Sequence, residues 1–194
     1  MSRLPLVLAL LVMPFALSAQ ESDGDTSPET RPEAAEPAPE TTVEAPMTLE
    51  RMDEIVRALD PDAQTNGRMW RLIIADTPVL IITDPENDRM RALAAVGEVS
   101  EIDEADLTRM MQANFDSALD ARYAIAKETV WSTYIHPFKP LEKDQLISGL
   151  GQVVNLVQSY GTLYSGGAMQ FGGGDSGTLQ RELIDELLKK GEEL

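Results

Sequence analysis

The sequence MWRLIIADTPVLIIT, residues 69–83, decides the fold of this chain. Residues 69–74 and 79–83 are short runs of apolar and β-branched residues, which is the composition typical of strands. Asp76-Thr77-Pro78 lies between the two runs and supplies turn residues. The stretch therefore predicts two antiparallel strands, preceded by a polar break at residues 64–67.

Helices are predicted on both sides of this hairpin, because apolar residues recur there at helical spacing. The first helix follows the N-cap residue Thr48 and stops at Asp60-Pro61. The second covers about residues 103–114, and the third and longest covers residues 142–164. A last short helix at about residues 175–190 follows a glycine-rich stretch, and the sequence leaves open whether it docks on the domain.

Three further strands complete the predicted sheet. Residues 90–99 form a third strand, although their alanines weaken that prediction. Residues 122–127 and 130–136 form a second hairpin. The predicted fold is α+β: an antiparallel sheet of about five strands with helices packed on one face, in the order α-β-β-β-α-β-β-α. Gly149 and Gly151, inside the longest helix, are expected to allow close backbone packing.

Charge and composition divide the chain into segments. The chain has 33 acidic against 16 basic residues, a net charge of minus 17. Residues 20–47 contain eight acidic residues and one basic residue, and too few apolar ones to offset the entropy of ordering them. We expect an acidic, Pro/Glu-rich disordered tether at 20–47, one domain at 48–164, and a linker with a short helix at 165–194. No run of basic residues suited to nucleic acid or anionic membranes occurs in the sequence.

Residues 1–19 are typical of a cleavable export signal. Arg3 supplies a basic start, an apolar centre follows, and cleavage is expected after Ser18 or Ala19. A retained membrane anchor is the alternative, but the apolar run is shorter than the roughly 20 residues of a span and contains two prolines. We expect a bacterial periplasmic or secreted protein with no integral membrane segment after cleavage. Because the chain has no cysteine, it is not expected to be a lipoprotein or to contain disulfides.

The sequence contains no complete catalytic or metal-binding motif. His136 is the only histidine, which excludes two-histidine metal sites, and no Gly-x-Ser-x-Gly elbow accompanies it. Residues 84–88 resemble the start of an EF-hand loop, but Arg89 stands where the loop needs glycine and Ala95 where it needs glutamate. The glycines at 172–177 lack the lysine of a phosphate loop. We therefore expect no catalytic residue, no metal and no cofactor.

The large side chains of the predicted sheet are the remaining candidates for a binding site. Trp70, Trp131 and Tyr134, with His136, would form a stacking or peptide-docking surface if they were exposed. Packing in the core is the alternative and is favoured for each tryptophan, because aromatic residues are scarce in this chain. A structural, capped histidine is likewise the favoured interpretation of His136.

The sequence from Trp131 to Phe138, WSTYIHPF, followed by LEKDQL at 141–146 and VVNLVQSYG at 153–161, resembles the end of the bacterial YbjN domain family. The order of elements over residues 48–164 is also similar to that family. The resemblance implies a fold like that of type III secretion chaperones. It also implies a role as a bacterial sensory transduction regulator or as a binder of extended protein segments, and no enzyme activity.

These observations favour a non-enzymatic periplasmic domain that binds a protein or peptide, with a homodimer through a helix or sheet face left open. A small-ligand sensor with a deep apolar pocket is one alternative. A hydrolase using carboxylates with a tyrosine or His136 is another, since paired acids need not be close in sequence.

Overall fold

A computed structural model describes residues 44–116, 120–160 and 178–192 of the chain. The expected export signal at 1–19, the acidic tether up to residue 43 and the glycine-rich linker at 165–177 lie outside these residues. The described domain begins at residue 44, before the domain boundary expected at Thr48. Met47 is 2% exposed, and its N–H donates to the carbonyl oxygen of Lys139 at 2.9 Å. An apolar side chain at the end of the acidic segment thus belongs to the domain.

Four helices and six strands form in the described residues. The helices are α1 Leu49–Leu59, α2 Glu104–Asp116, α3 Lys143–Ser159 and α4 Thr178–Gly191. The strands are β1 Gln64–Thr65, β2 Met69–Ile74, β3 Thr77–Asp84, β4 Arg89–Glu98, β5 Arg122–Ala126 and β6 Thr129–His136. A 3₁₀ turn at Val99–Glu101 leads from β4 towards α2.

The six strands form one antiparallel sheet in the order β1-β2-β3-β4-β6-β5. The α+β class and the antiparallel sheet are therefore confirmed, but the expected number of about five strands is wrong by one. The additional strand is β1, which was interpreted as part of a polar break. Its two residues become a strand because a turn at Gly67, with φ of +89°, folds them back so that Thr65 pairs with Trp70.

α1 and α3 pack on the same face of the sheet, because Trp70, which bonds to Asp53 of α1, and Tyr134, which contacts Gly149 of α3, lie in one row across the strands. Side chains alternate along the strands between buried and more exposed positions, as in the patterns of β2 and β3, because successive residues point to opposite faces. α1 contributes its buried stripe to the same core. That stripe comprises Met52, Ile55, Val56 and Leu59.

The two glycines of α3 lie where the helix has close neighbours, which confirms the expected close packing. A Cβ atom added at Gly149 would come within 2.6 Å of Cε1 of Tyr134 on β6. One added at Gly151 would lie 2.7 Å from Cγ1 of Ile184 on α4. Ile184 and Leu187 are buried, so α4 docks on the domain through α3. The question that the sequence left open is thereby answered.

Helix α3 ends earlier than residue 164. Its C-cap is Tyr160, which has the left-handed φ of 53°, and the residues that follow lie outside the described part of the chain. At the other end, Glu142 and Gln145 form a capping box, which satisfies two backbone N–H groups of the first turn. The longest predicted helix therefore forms, but it is shorter than predicted.

Candidate functional site: the open face of the sheet

Trp70 lies in the core between α1 and the sheet. It is 1% exposed, and its indole N–H donates to Oδ1 of Asp53 at 2.8 Å. This bond satisfies the polar atom of a large buried side chain. Trp70 therefore connects α1 to β2 and is shielded from any partner in this conformation.

Tyr134 is also buried, on the face that the helices cover. Its ring lies against the backbone of α3 at Gly149 and stacks with the ring of His136 at a centroid distance of 5.9 Å. Burial, with a smaller contribution from the charge of Asp120, raises the pKa of the Tyr134 hydroxyl to about 12. His136 is half-buried at the end of β6, and its Nδ1 lies 2.8 Å from the carbonyl oxygen of Pro137.

Trp131 is placed differently from the other aromatic candidates. It is half-buried on the opposite face of β6, where its indole N–H donates to the carbonyl oxygen of Ala126 at 3.1 Å. Trp131 and Tyr134 are three residues apart on one strand, and this spacing places them on opposite faces. The structure therefore does not bring the aromatic candidates together in one surface.

Trp131 belongs to the face of the sheet that none of the described helices covers, which we call the open face. Its side chains are half-buried or exposed, while those that alternate with them on the same strands are mostly buried. The open face includes Met69, Arg71, Ile73, Leu80, Ile82, Asp84, Arg89, Arg91, Leu93, Glu98, Arg122, Ala124, Trp131, Thr133 and Ile135. It is a mixed surface of apolar side chains and arginines.

Strand register arranges these side chains in rows across the sheet. One row consists of Arg71, Leu80, Leu93, Thr133 and Arg122, which are paired in that sequence from β2 to β5. Its apolar members are in the middle and its arginines are at the two ends. Side chains in such a row stand close enough to act on one ligand together.

The next row consists of Met69, Ile82, Arg91 and Ile135. Arg91 therefore lies between two isoleucines, and Ile135 is 57% exposed. Two surface depressions of about 490 and 360 Å³ border this row, and Arg91 and Ile135 line both of them. The open face is thus an uneven apolar surface, and the guanidinium group of Arg91 lies at its centre.

Arg71 and Arg91 have no acidic residue opposite them in the sheet, whereas Arg89 lies opposite Asp84. The side chains of Arg71, Arg89 and Arg91 form no ion pair or hydrogen bond with any other described residue. Asp84 and Glu98 are the acidic residues at strand positions of this face. These arginines form no run in the sequence, because they come from different strands and the fold brings them onto one face.

A separate polar cleft of about 520 Å³ lies beside the end of β6. Pairing of β5 with β6 ends at Thr133, and the start of α3 forms the opposite wall. The cleft brings together two carboxylates, an arginine and the histidine. Its lining residues are Asp120, Arg122, Tyr134, Ile135, His136, Asp144, Gln145 and Ser148.

Gln152 is a polar residue of the core that was not predicted from the sequence. Gln152 of α3 is 2% exposed, and its Oε1 accepts the backbone N–H groups of Asp120 and Ala121 at 2.8 and 3.0 Å. It thereby holds the start of β5 against α3. The sequence does contain a signal for this residue. Gln152 stands alone as a polar residue in an apolar helical stripe, and a buried polar group needs a hydrogen-bond partner.

Within the described residues, no group of three or more acidic or histidine side chains is placed to hold a metal ion. None of the helices in this part of the chain is long and apolar enough to cross a membrane. No family model matches the chain, and no curated protein matches it significantly.

Proposed function

We propose that this chain is a non-enzymatic protein- or peptide-binding domain of the YbjN type, and that it works in the periplasm. The observation that carries the proposal is the open face, an exposed sheet surface that combines apolar side chains with free arginines. Sequence supports the location: residues 1–19 have the pattern of an export signal. The mass of the protein from a periplasmic fraction tests this, since cleavage after Ser18 or Ala19 leaves a chain without those residues.

The fold supports the same class of function. An α+β domain with helices on one face of an antiparallel sheet agrees with the type III secretion chaperone-like fold that the YbjN resemblance implies. Such a sheet can keep one face in contact with solvent. The proposed domain uses that face for recognition rather than for catalysis.

The chemistry of the open face is that of a binding surface. Tryptophan and arginine are the residue types that most often dominate binding energy, particularly when apolar contacts around them exclude water. Trp131, Arg91 and Ile135 provide this combination, because all three line one surface depression of the open face. A partner with apolar and acidic side chains would match both properties.

A second copy of the chain is a poorer partner for this face. In a symmetric face-to-face dimer the arginines of one copy would approach those of the other, and like charges across an interface are unfavourable. A homodimer through the helical side stays open. Light scattering after size-exclusion chromatography distinguishes a monomer from a dimer.

Capture from envelope extract tests the proposal when wild type is compared with an open-face variant. The double variant Arg71→Glu and Arg91→Glu should lose a partner that wild type retains. The matched control is Arg181→Glu with Lys189→Glu, two exposed residues of α4 that give the same change in net charge. Loss by both variants, or by neither, would overturn the assignment of the open face.

The polar cleft beside β6 favours one alternative, the carboxylate hydrolase, because Asp120 and Asp144 line it together with His136. Both carboxylates are exposed, so the cleft lacks the desolvation that acid–base catalysis commonly uses. Loss of a hydrolytic activity on Asp144→Asn, with the fold retained, would support this alternative. The polar lining does not suit the apolar pocket expected of a small-ligand sensor.

A further inference from the structure

The polar cleft beside β6 contains charges of both signs that do not pair with each other. The carboxylates of Asp120 and Asp144 and the guanidinium group of Arg122 line this one cleft of about 520 Å³. None of the three forms an ion pair with another described residue. Both kinds of charge therefore remain available to a ligand.

Tyr134 brings a hydroxyl without a partner to the same cleft. The residue is 4% exposed, it lines the cleft, and its hydroxyl forms no hydrogen bond with another described residue. Among the described residues, Ser132 is the one whose buried side-chain oxygen has neither solvent nor a partner. The Tyr134 hydroxyl is thus reached by solvent, and Tyr134 borders solvent in the cleft. Because buried polar groups normally have a partner, a molecule in the cleft must supply this one.

The uncharged polar groups of the cleft can bind either end of a charged ligand. Burial, with a smaller contribution from the charge of Asp120, raises the pKa of the Tyr134 hydroxyl to about 12. The neutral hydroxyl can donate to a carboxylate or accept from an ammonium group. Nδ1 of His136 lies 2.8 Å from the carbonyl oxygen of Pro137, which can only accept. Nδ1 therefore carries the hydrogen, and Nε2 of the neutral ring is left as an acceptor.

The wall of the cleft that carries Asp120 is held in place from the core. Nε2 of the buried Gln152 donates to Oδ2 of Asp120 at 3.4 Å and to Oγ of Ser148 at 3.2 Å, while its Oε1 accepts the backbone N–H of Asp120. Nη1 of Arg122 donates to the carbonyl oxygen of Ala121 at 2.8 Å. A ligand therefore meets groups that are already arranged, which lowers the entropy cost of binding.

Strand β6 presents a backbone edge to the cleft. The turn between β5 and β6 has two residues, Lys127 and Glu128, both with positive φ. The residues that flank such a turn bond to each other, and bonded positions then alternate along the hairpin. Thr133 is the last bonded position opposite β5, so Ile135 directs its N–H and C=O to the same side. None of the described strands continues there, and an extended peptide can bond to such an edge.

We propose that the polar cleft binds a short zwitterionic peptide, such as a dipeptide with free ends. Its ammonium end pairs with Asp120 and Asp144, and its carboxylate end pairs with Arg122. A ligand with a single charge would leave one kind of lining charge without a partner, and a neutral sugar would leave both. The volume of the cleft lies within the range of about 300–1,000 Å³ that is usual for ligand sites. The cleft shares Arg122 and Ile135 with the open face, but the proposal does not rest on binding there.

Nuclear magnetic resonance titration of the isotope-labelled protein with dialanine and with trialanine tests the proposal. Both peptides should cause saturable shifts of the amide signals of Asp120 and Ile135 and of the ring signals of His136. The amide signals of Ile73 and Leu80, on β2 and β3, should stay unchanged. N-acetyl-dialanine lacks the ammonium group and dialanine amide lacks the carboxylate. Each should bind about tenfold or more weakly than dialanine, because each loses hydrogen bonds between charged groups.

Two variants test the lining residues separately. Tyr134→Phe, which keeps the ring, and Asp144→Asn, at an exposed position in the first turn of α3, should each weaken the binding of dialanine about tenfold. Asp144→Asn should hardly change the weak binding of N-acetyl-dialanine, since this peptide lacks the group that Asp144 binds. The matched control is Asp62→Asn, which removes an exposed carboxylate outside the cleft and should bind dialanine as wild type does.

Several results would overturn the proposal. One is the absence of a saturable shift with both peptides up to tens of millimolar. Others are equal binding of the acetylated or amidated dipeptide, and binding that both lining variants leave unchanged. Tighter binding of glucose than of dialanine would assign the cleft to a neutral sugar instead. The pair Arg71→Glu and Arg91→Glu lies outside the cleft and should bind dialanine as wild type does, so this proposal and the proposed function fail separately.

Discussion

Arg71 and Arg122 occupy the two ends of a single row of side chains that crosses five strands of the sheet. Leu80, Leu93 and Thr133 lie between them in register. The charges are on strands at or near the edges of the sheet, and the apolar residues are on its central strands. An acidic and apolar ligand bound along this row would have an apolar contact in the middle and ionic contacts at both sides.

Truncation of an isoleucine should cost little on the open face and much on the covered face. Ile135 is 57% exposed and Ile81 is 0% exposed. We expect Ile135→Ala to lower the free energy of unfolding by about 0.5 kcal/mol or less. We expect Ile81→Ala to lower it by about 2–5 kcal/mol, because it leaves a cavity in the core. Urea unfolding of both variants measures the difference, and similar large losses would mean that the open face is covered in solution.

Ser132 presents a different test of the core. Its Oγ is buried without a hydrogen-bond partner in the described part of the chain, so Ser132→Ala should leave stability unchanged or raise it by up to about 1 kcal/mol. Thr83 is the matched control, because its Oγ1 donates to the carbonyl oxygen of Arg68 at 2.9 Å. Thr83→Val should cost about 1 kcal/mol. A clear loss of stability in Ser132→Ala would indicate a partner of the hydroxyl, such as a bound water.

Local patterns in the sequence predicted most of the fold. The apolar runs of β2 and β3, the helical stripe of α1 and the hairpin of β5 and β6 are all visible without tertiary information. β1 was missed because Gln64 and Thr65 have no alternation of their own and form a strand only by pairing with β2. The prediction of secondary structure from the sequence therefore failed where a strand forms only by pairing with another segment.

The open face was harder to predict than the elements that build it. β2 and β3 carry apolar residues on both faces, so alternation does not indicate which face the helices cover. The row that contains Arg71 and Leu93 depends on register between strands, which one sequence does not reveal. Spacing alone does predict one feature of this face: Trp131 and Tyr134, three residues apart on a strand, lie on opposite faces.

The contact between Gly149 and Tyr134 predicts a large effect of a small substitution. Alanine is the better helix former by about 1 kcal/mol, which would favour Gly149→Ala if space were available. The added Cβ would instead lie 2.6 Å from the Tyr134 ring, and such overpacking typically costs about 1–3 kcal/mol. We expect net destabilisation in urea unfolding. In a double-mutant cycle, Tyr134→Ala should remove most of the penalty, and an unchanged penalty would contradict the contact.

The bond between Trp70 and Asp53 predicts a pH-dependent contribution to stability. This hydrogen bond, followed by the one from Arg57, lowers the pKa of Asp53 below its ordinary value of 3.8. A lowered folded-state pKa means stabilisation that is fully present above the unfolded value and lost as the pH falls through the folded value.

Replacing Asp53 by alanine should therefore cost about 1 kcal/mol at pH 7, and this difference from wild type should shrink below pH 3.8. Urea unfolding at several pH values measures it. Glu54→Ala is the control, since Glu54 is exposed on the same helix and its side chain forms no hydrogen bond or ion pair with another described residue. A difference for Asp53→Ala that stays constant down to low pH would contradict the role of its charge.

Photo-crosslinking in cells is the most direct test of the central proposal, that the open face binds a partner. A photoreactive amino acid replaces Ile135 on the open face or, as the control, Glu54 on the outer side of α1. The account predicts a discrete product of higher mass from position 135 and none from position 54. Products of higher mass from position 54 alone, or equally from both positions, would contradict it.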